Sequence, residues 1–172
     1  MSGHRTERST DDLARELAEA AQEHGFTVAV AESLTAGAVA SILGRAPSAA
    51  SWFRGGVVAY GKPVKYDLLR VPPGPVVSAT AVCSMASTTA ELLAADVTVA
   101  VSGVGGPGPD EGQPAGTVWF AVARGDTARP TMARFDGPPE DVVEQTVRRA
   151  LELLLDSTST SRAGHPPDRR SA

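Results

Sequence analysis

Apolar residues recur at helical spacing in three stretches of the chain. The first stretch begins at Thr10, where a hydroxyl and two acidic residues favour a helix start, and it ends at Gly25. The second stretch follows Ser78, a predicted cap, and the third begins near residue 143. The three apolar faces comprise Leu13, Leu17, Ala20 and Ala21, then Val82, Met85, Ala86, Thr89 and Leu93, and finally Val143, Val147, Ala150, Leu151 and Leu154.

Runs rich in β-branched residues predict strands between these helices. The runs cover residues 26–31, 57–60, 97–102, 116–124 and 131–135. Two shorter helices are predicted, one leading from Ser33 to about Leu43 and one from Pro63 to Leu69. This alternation favours an α/β layered domain whose first three strands are parallel. The tight connection at Gly125-Asp126 makes the last two strands antiparallel, so the predicted sheet is mixed, with helices on both faces.

The length of 172 residues suits one folded domain between two polar segments. Residues 1–9 are predicted to be a disordered N-terminal segment. Residues 157–172 are rich in Ser, Thr, Pro and Arg and are predicted to be a disordered tail. The domain itself is expected at residues 10–156.

The charge balance argues against two classes of partner. A net charge of −4 leaves no basic excess for nucleic acid or for a membrane surface, so neither partner is expected. No apolar stretch has the length of a membrane span, and the N-terminal residues lack the apolar segment of a secretory signal. The single cysteine, Cys83, favours a reducing compartment and a packing role. A cytoplasmic location is therefore expected.

Three segments follow the predicted parallel strands, at the edge where ligands bind in open α/β sheets. They cover residues 31–37, 59–65 and 102–107. In the first segment, Ser33 is either the N-cap of the next helix or a nucleophile, and spacing alone favours the cap. Backbone N–H groups at that helix start, or in the 102–106 loop, could hold a phosphate or an oxyanion.

A nucleophilic serine needs a base, and the three histidines are poorly placed for that role. His4 and His165 lie in predicted tails, and His24 precedes a helix-ending glycine. A lysine can act instead where burial or a nearby positive charge lowers its pKa. Lys62 and Lys65 lie at the predicted edge, although each taken alone is more typical of a solvated surface lysine.

The remaining polar and aromatic features allow two interpretations each. Tyr60 could relay a proton or orient the lysine, or it could be a half-buried strand aromatic. The loop at 103–115 has five glycines, which suit either close approach to a ligand or a plain connection. Asp110-Glu111 is expected to be a solvated charge pair, and Trp52-Phe53 is expected in the core. No His, Cys and Asp residues have metal-binding spacing.

Five stretches of sequence occur in a distinctive order. They are AESLTAG at 31–37, SWFRGGVVAYG at 51–61 followed by Lys65, VSATAV at 77–82, ADVTVAVSGVGGPGP at 95–109 and PAGTVWFAV at 114–122. Together they resemble the CinA C-terminal domain family, the nicotinamide-nucleotide amidohydrolases, over about residues 10–155. Several spaced motifs in one order are more specific than any single motif.

The resemblance implies a three-layer α/β/α sandwich with a mixed, mostly parallel five-stranded sheet. It implies deamidation of a small nucleotide, nicotinamide mononucleotide, to nicotinate mononucleotide and ammonia, with no metal and no cofactor, in a homodimer. The implied catalytic residues are Ser33, Tyr60 and Lys65, with Lys65 rather than Lys62 as the base. The implied substrate-binding residues are Thr35, Ala36, Gly37, Ser102, Gly103, Gly105 and Gly106.

The chain departs from the family pattern at several positions. Leu34 and Ala36 stand where the family has a cysteine and a glycine, and Gly61-Lys62 replaces a Ser-Asn pair. Pro139 and Val143 align with family arginines. These changes bear on anion recognition and leave two alternatives open, a catalytically weak or silent nucleotide-binding module and an amidase for another small amide.

Overall fold

The structure is a computed structural model that describes residues 8–159. Its helices are α1 (Thr10–His24), α2 (Ala38–Arg45), α3 (Ala49–Trp52), α4 (Ala79–Leu93) and α5 (Pro139–Ser159), with a π-helical turn at Val64–Leu68. Its strands are β1 (Val28–Glu32), β2 (Phe53–Val58), β3 (Val97–Gly103), β4 (Thr117–Arg124) and β5 (Thr127–Arg134). Most of the predicted terminal segments, including His4 and His165, lies outside the described residues.

The ends of the long helices refine the predicted boundaries. Ser9, not Thr10, is the N-cap of α1, because its hydroxyl accepts from the Asp12 N–H while the Asp12 carboxylate accepts from the Ser9 N–H. Gly25 ends α1 at φ 67°, a conformation that favours glycine. Ser78 is confirmed as the cap of α4. Helix α5 runs to Ser159 and so enters the segment predicted to be a disordered tail.

The five strands form one mixed sheet in the order β2-β1-β3-β4-β5. β1 pairs parallel with β2 and with β3, whereas the β3–β4 and β4–β5 pairs are antiparallel. The mixed α/β class is confirmed. The expectation of a mostly parallel sheet is wrong: two pairings are parallel and two are antiparallel, because the tight turn at Gly125-Asp126 and the return from β3 to β4 each reverse the chain.

Strand β2 lies earlier in the sequence than predicted. It begins at Phe53 and ends at Val58, so Tyr60 lies beyond the strand. The glycines expected to precede the strand are part of it. A Cβ on Gly56 would lie 2.6 Å from a Val30 methyl group, so the missing side chain lets β2 lie against β1.

Apolar residues pack on both faces of the sheet. One face carries large side chains, including Val30, Val99 and Phe120, which pack against α1, α2 and α5. The other face carries small ones, including Ala100 and Ala121, and packs against α4. This alternation along each strand is the two-residue period of a sheet covered on both faces.

Candidate functional site

A cavity of about 480 Å³ opens at the carboxyl ends of β1, β2 and β3. Residues from all three segments expected at this edge line it. The lining comprises Ser33, Leu34, Tyr60, Lys62, Lys65, Val76, Val77, Ser102, Gly103, Val104, Gly105, Gly106, Gly108, Pro109, Asp110, Pro139 and Val143. Its volume is in the range of small-molecule sites.

Ser33 lies in the turn between β1 and α2 and not at a helix cap. Helix α2 begins only at Ala38, and its N-cap is Gly37. The side chain of Ser33 is therefore not committed to capping α2, and the interpretation that spacing alone favoured is wrong. Ser33 is 8% exposed and borders the cavity.

The residue that holds the start of α2 is Glu32, which sequence reasoning did not single out. Its side-chain oxygens accept hydrogen bonds from the N–H groups of Val39 and Ala40, both at 2.9 Å. The side chain is 1% exposed, and a carboxylate at a helix N-terminus is electrostatically favoured. Glu32 thereby closes the turn that carries Ser33 and occupies two N–H groups predicted to be free for a ligand.

Lys65 lies on the π-helical turn, and it is 2% exposed. Its Nζ donates to the carbonyl oxygens of Ala59 at 2.6 Å and Tyr60 at 3.1 Å. Burial lowers the pKa of the Lys65 amine, and the nearby Lys62 charge lowers it further, while Glu111 opposes both. A neutral amine has two N–H groups, and the two carbonyl oxygens accept a hydrogen bond from each. Its lone pair then stays available as a base.

Ala59 links the turn of Ser33 to the lysine. The Ala59 N–H donates to the Glu32 carbonyl at 2.7 Å, and the Ala59 carbonyl accepts from Lys65 Nζ. The residue that precedes Ser33 and the amine of Lys65 are thus both hydrogen-bonded to the backbone of Ala59. A lysine at position 65 reaches this carbonyl because the π-helical turn places it beneath the end of β2.

Tyr60 borders the cavity with its side chain and contacts Lys65 with its backbone. Its side chain is 69% exposed at the cavity, and not half-buried on a strand. The contact that the structure shows with Lys65 is made by the Tyr60 carbonyl and not by its phenol.

The residues predicted to bind substrate are divided between the cavity and its surroundings. Thr35, Ala36 and Gly37 lie outside the cavity lining. Ala36 has φ 49°, a left-handed conformation unusual for alanine. The Thr35 hydroxyl is buried and has no hydrogen-bond partner among residues 8–159. Their roles stay predictions.

The predicted residues at the end of β3 and in the loop that follows line the cavity, and two of them also have structural roles. The Ser102 hydroxyl donates to the Val76 carbonyl at 2.7 Å and so holds the opposite wall. A Cβ on Gly103 would lie 2.7 Å from the Thr117 carbonyl oxygen, so β4 packs where a side chain would be. Gly105 and Gly106 line the cavity without such close neighbours from the backbone.

Glu111 is not the solvated residue that was expected. Its side chain is 12% exposed and accepts from the N–H groups of Val76 and Val77 at 2.8 and 3.0 Å. Lys62 Nζ lies 2.6 Å from its other oxygen. Partial burial alone would raise the pKa of the Glu111 carboxyl, but the Lys62 and backbone hydrogen bonds together outweigh it and lower the pKa. Contacts of this kind, between residues far apart in sequence, give no local pattern.

The remaining sequence features lie where they bear little on the cavity. Trp52 is buried in the core, as predicted, and its indole N–H donates to the Pro47 carbonyl. Cys83 packs on α4, where burial raises the pKa of its thiol. Among residues 8–159, no group of three or more His, Cys, Asp and Glu side chains could hold a metal ion. No helix in that range is long and apolar enough to cross a membrane.

Residues 10–158 match the model of the CinA C-terminal domain. The chain belongs to the CinA C-terminal domain family. A Pseudomonas putida protein named nicotinamide-nucleotide amidohydrolase PncC is 38% identical over 149 residues, which are 83% of this chain and 93% of that protein. The solved structure of a competence-damaged protein (CinA) superfamily member from Enterobacter cloacae has a TM-score of 0.87 and 31% identity, covering 92% of this chain and 98% of that one.

Other CinA relatives are much longer than this chain. A Lacticaseibacillus casei protein, whose name refers to competence-damage induction, is 36% identical over 151 residues. The match covers 84% of this chain but 37% of that protein. The comparisons thus establish the CinA fold and family. The reaction is inferred separately, from the residues that line the cavity.

Proposed function

We propose that this CinA domain hydrolyses the carboxamide of nicotinamide mononucleotide to nicotinate mononucleotide and ammonia. The observation that carries the proposal is that a buried lysine with a lowered pKa borders the same cavity as the Ser33 side chain. Paired nucleophile and base residues of this kind are typical of acyl-transfer sites. The name of the P. putida relative supports the choice of substrate.

In the proposed reaction, neutral Lys65 removes the hydroxyl proton of Ser33 as Oγ bonds to the carboxamide carbon. The carbonyl π-electrons move to oxygen and give a tetrahedral intermediate. The Lys65 ammonium then returns the proton to the nitrogen, the C–N bond breaks and ammonia leaves an acyl ester on Ser33. Water attacks the ester, Lys65 takes one of its protons and passes it to Ser33 Oγ as the ester C–O bond breaks, and the carboxylic acid loses its proton to solvent and leaves as the carboxylate.

The oxyanion of each intermediate needs hydrogen-bond donors, and the structure narrows the choice. The N–H groups of Val39 and Ala40 are occupied by Glu32, and that of Val104 donates to the Thr117 carbonyl. Of the donors predicted from sequence, the backbone N–H groups of Gly105 and Gly106 are the ones we assign to the oxyanion. The phenol of Tyr60 is assigned to proton relay at the cavity mouth.

The test is ammonia release from nicotinamide mononucleotide by pure protein. Wild type is expected to release ammonia in an amount equal to the nicotinate mononucleotide formed, and Ser33→Ala is expected to release none above background. Because Ser33 makes no contact that holds α2, the variant should melt at the wild-type temperature. Wild-type turnover by a folded Ser33→Ala variant would refute the assignment.

A second candidate substrate class is favoured by one observation. Pro139 and Val143 line the cavity where the family resemblance leads us to expect arginines, so this side of the cavity is apolar. An amide without a phosphate would suit such a wall. Comparing kcat/KM for nicotinamide mononucleotide with that for its dephosphorylated riboside separates the two classes, since preference for the riboside would favour the second.

A further inference from the structure

Glu111 joins three separate segments around the cavity. Its carboxylate accepts from the N–H groups of Val76 and Val77 on one side and holds Lys62 on the other. Glu111 itself belongs to the glycine-rich loop, whose neighbouring Asp110 also lines the cavity. A single side chain therefore fixes the loop, the segment before α4 and the segment after β2 relative to one another.

Both backbone polar groups of Val76 are hydrogen-bonded, and these bonds fix the wall at that residue. Its N–H donates to Glu111, and its carbonyl accepts from the Ser102 hydroxyl at 2.7 Å. Glu111 has φ 49°, and its own N–H donates to the Asp110 side chain. A left-handed conformation at a non-glycine residue persists when the surrounding contacts determine it. The contacts around Glu111 therefore hold the loop in a conformation that directs this carboxylate toward Val76, Val77 and Lys62.

The same carboxylate belongs to the electrostatic environment of the lysine base. Lys62 and Glu111 act on Lys65 with opposite signs, because a like charge disfavours the ammonium form and an opposite charge favours it. Asp110 of the loop and the phenol of Tyr60 also line the cavity, and Asp110 and Tyr66 both act on the charge of Lys62. Glu32 on β1 is engaged with the start of α2.

We propose that Glu111 is a positioning residue for the site: it fastens the loop to the Val76–Val77 wall and sets its own charge beside that of Lys62, so that the two charges act on Lys65 with opposite signs. The inference rests on the proposed function for its link to turnover. Glu111 contacts neither reacting group, and it acts through the wall and through its charge. A purely structural fastener would change stability but would leave the titration of Lys65 where it was.

The sequence makes a direct test possible, because Lys62 and Lys65 are the only lysines in the 172 residues. Protein labelled with ¹³C at the lysine ε-carbon gives two NMR signals, and Lys62→Gln leaves the signal of Lys65 alone. We expect the midpoint of Lys65 to move up in Lys62→Gln and down in Glu111→Gln. The midpoint of Lys62 should fall in Glu111→Gln, because its partner charge is lost.

A matched control is Glu91→Gln, which removes a carboxylate from the exposed Arg70–Glu91 pair. It should leave both lysine midpoints and kcat/KM at their wild-type values. Glu111→Gln should lower kcat/KM about tenfold, since small displacements of a site wall are costly in turnover. A Lys65 midpoint that stays in place, or moves in the same direction, in both cavity variants would overturn the inference.

The titration tests the role of Glu111, and the ammonia assay tests the proposed function, so the two statements can be contradicted independently. If wild type releases no ammonia while the lysine midpoints move as expected, the proposed function falls and the positioning role of Glu111 stands. If ammonia is released but the Lys65 midpoint does not respond, only the inference falls. Should Glu111→Gln not fold, Lys62→Gln decides the matter, since an upward shift supports the inference and an unmoved midpoint overturns it.

Discussion

The two walls of the cavity are held in different ways. The strand-end wall, residues 31–37 and 59–65, is fixed by two buried ionisable side chains that bond to backbone atoms, Glu32 to the start of α2 and Lys65 to the residues just after β2. The loop wall, residues 103–110, is fixed by close backbone packing at Gly103 and by the neighbouring carboxylate of Glu111.

The two walls therefore suit different tasks, proton transfer in the strand-end wall and ligand contact in the loop wall. Lys65 lies in surroundings that disfavour its charge, which suits proton transfer, and its turn is held rigidly by two carbonyls. The loop wall offers glycine backbone and apolar surface, which suit contact with a ligand. Substitution of Lys65 in the strand-end wall should therefore act mainly on the reaction, and substitution of Glu32 in the same wall on stability. Substitutions in the loop wall should act mainly on stability and ligand fit.

The largest expected effect is that of replacing the base. Lys65→Met and Lys65→Arg should each lower kcat/KM about 100- to 10,000-fold, because methionine has no basic nitrogen and arginine keeps its proton. Thermal melting checks that both variants fold. If the arginine variant retained wild-type kcat/KM, Lys65 would act through its charge rather than as a base, and the strand-end wall would lose its special role.

A large effect on stability is expected from the buried carboxylate of the same wall. Glu32→Ala leaves the N–H groups of Val39 and Ala40 without their acceptor and should cost about 2–3 kcal/mol of unfolding free energy. Urea unfolding measures the change, with Glu91→Gln as an exposed control that should stay within about 0.5 kcal/mol of wild type. A change as small as the control's would show that α2 does not depend on Glu32.

Close packing of the loop wall is tested by adding one methyl group. Gly103→Ala places a Cβ against the Thr117 carbonyl and Val118 and should cost about 1–3 kcal/mol. Gly44→Ala is the matched control, because Gly44 has open space and lies in α2, where alanine should stabilise by about 0.5–1 kcal/mol. Opposite changes in the free energy of unfolding for the two variants would support close packing at Gly103. An unchanged free energy of unfolding for Gly103→Ala would contradict it.

The smallest expected effect is a change in how stability depends on pH. The pKa of Glu111 lies below its usual 4.5, so the folded protein binds fewer protons there than the unfolded chain. Its contribution is present above pH 4.5 and is lost as the pH falls through the folded pKa. The free energy of unfolding in urea, measured from about pH 3 to about pH 7, should depend less on pH for Glu111→Gln than for wild type.

Sequence reasoning located the strand-end wall because local rules govern it. The carboxyl ends of parallel strands meet at one edge, which made Ser33, Lys62 and Lys65 candidates there. The family resemblance then favoured Ser33 as the nucleophile and Lys65 over Lys62 as the base. Sequence reasoning did not identify the cap, because Glu32 belongs to the strand and bonds to residues seven and eight positions later. A carboxylate ending a buried strand before a helix was the available signal.

The loop wall was less predictable for a physical reason. Glu111 contacts residues 34 and 35 positions away, and Lys62 is farther still, so no period or motif connects them. The charge run Asp110-Glu111 resembles an ordinary solvated pair until the fold places backbone N–H groups beside it. Likewise, Gly103 reads as a ligand-binding glycine, and the need for close packing with β4 emerges only from the antiparallel register.

The central claim is that Ser33 and Lys65 act as one catalytic unit across the cavity. The most direct measurement is kcat/KM for ammonia release from nicotinamide mononucleotide by Ser33→Ala, Lys65→Met and the double variant. Residues that act together lose their function together, so the double variant should be no slower than the slower single variant. Losses that multiply in the double variant would show two independent contributions and would contradict the account.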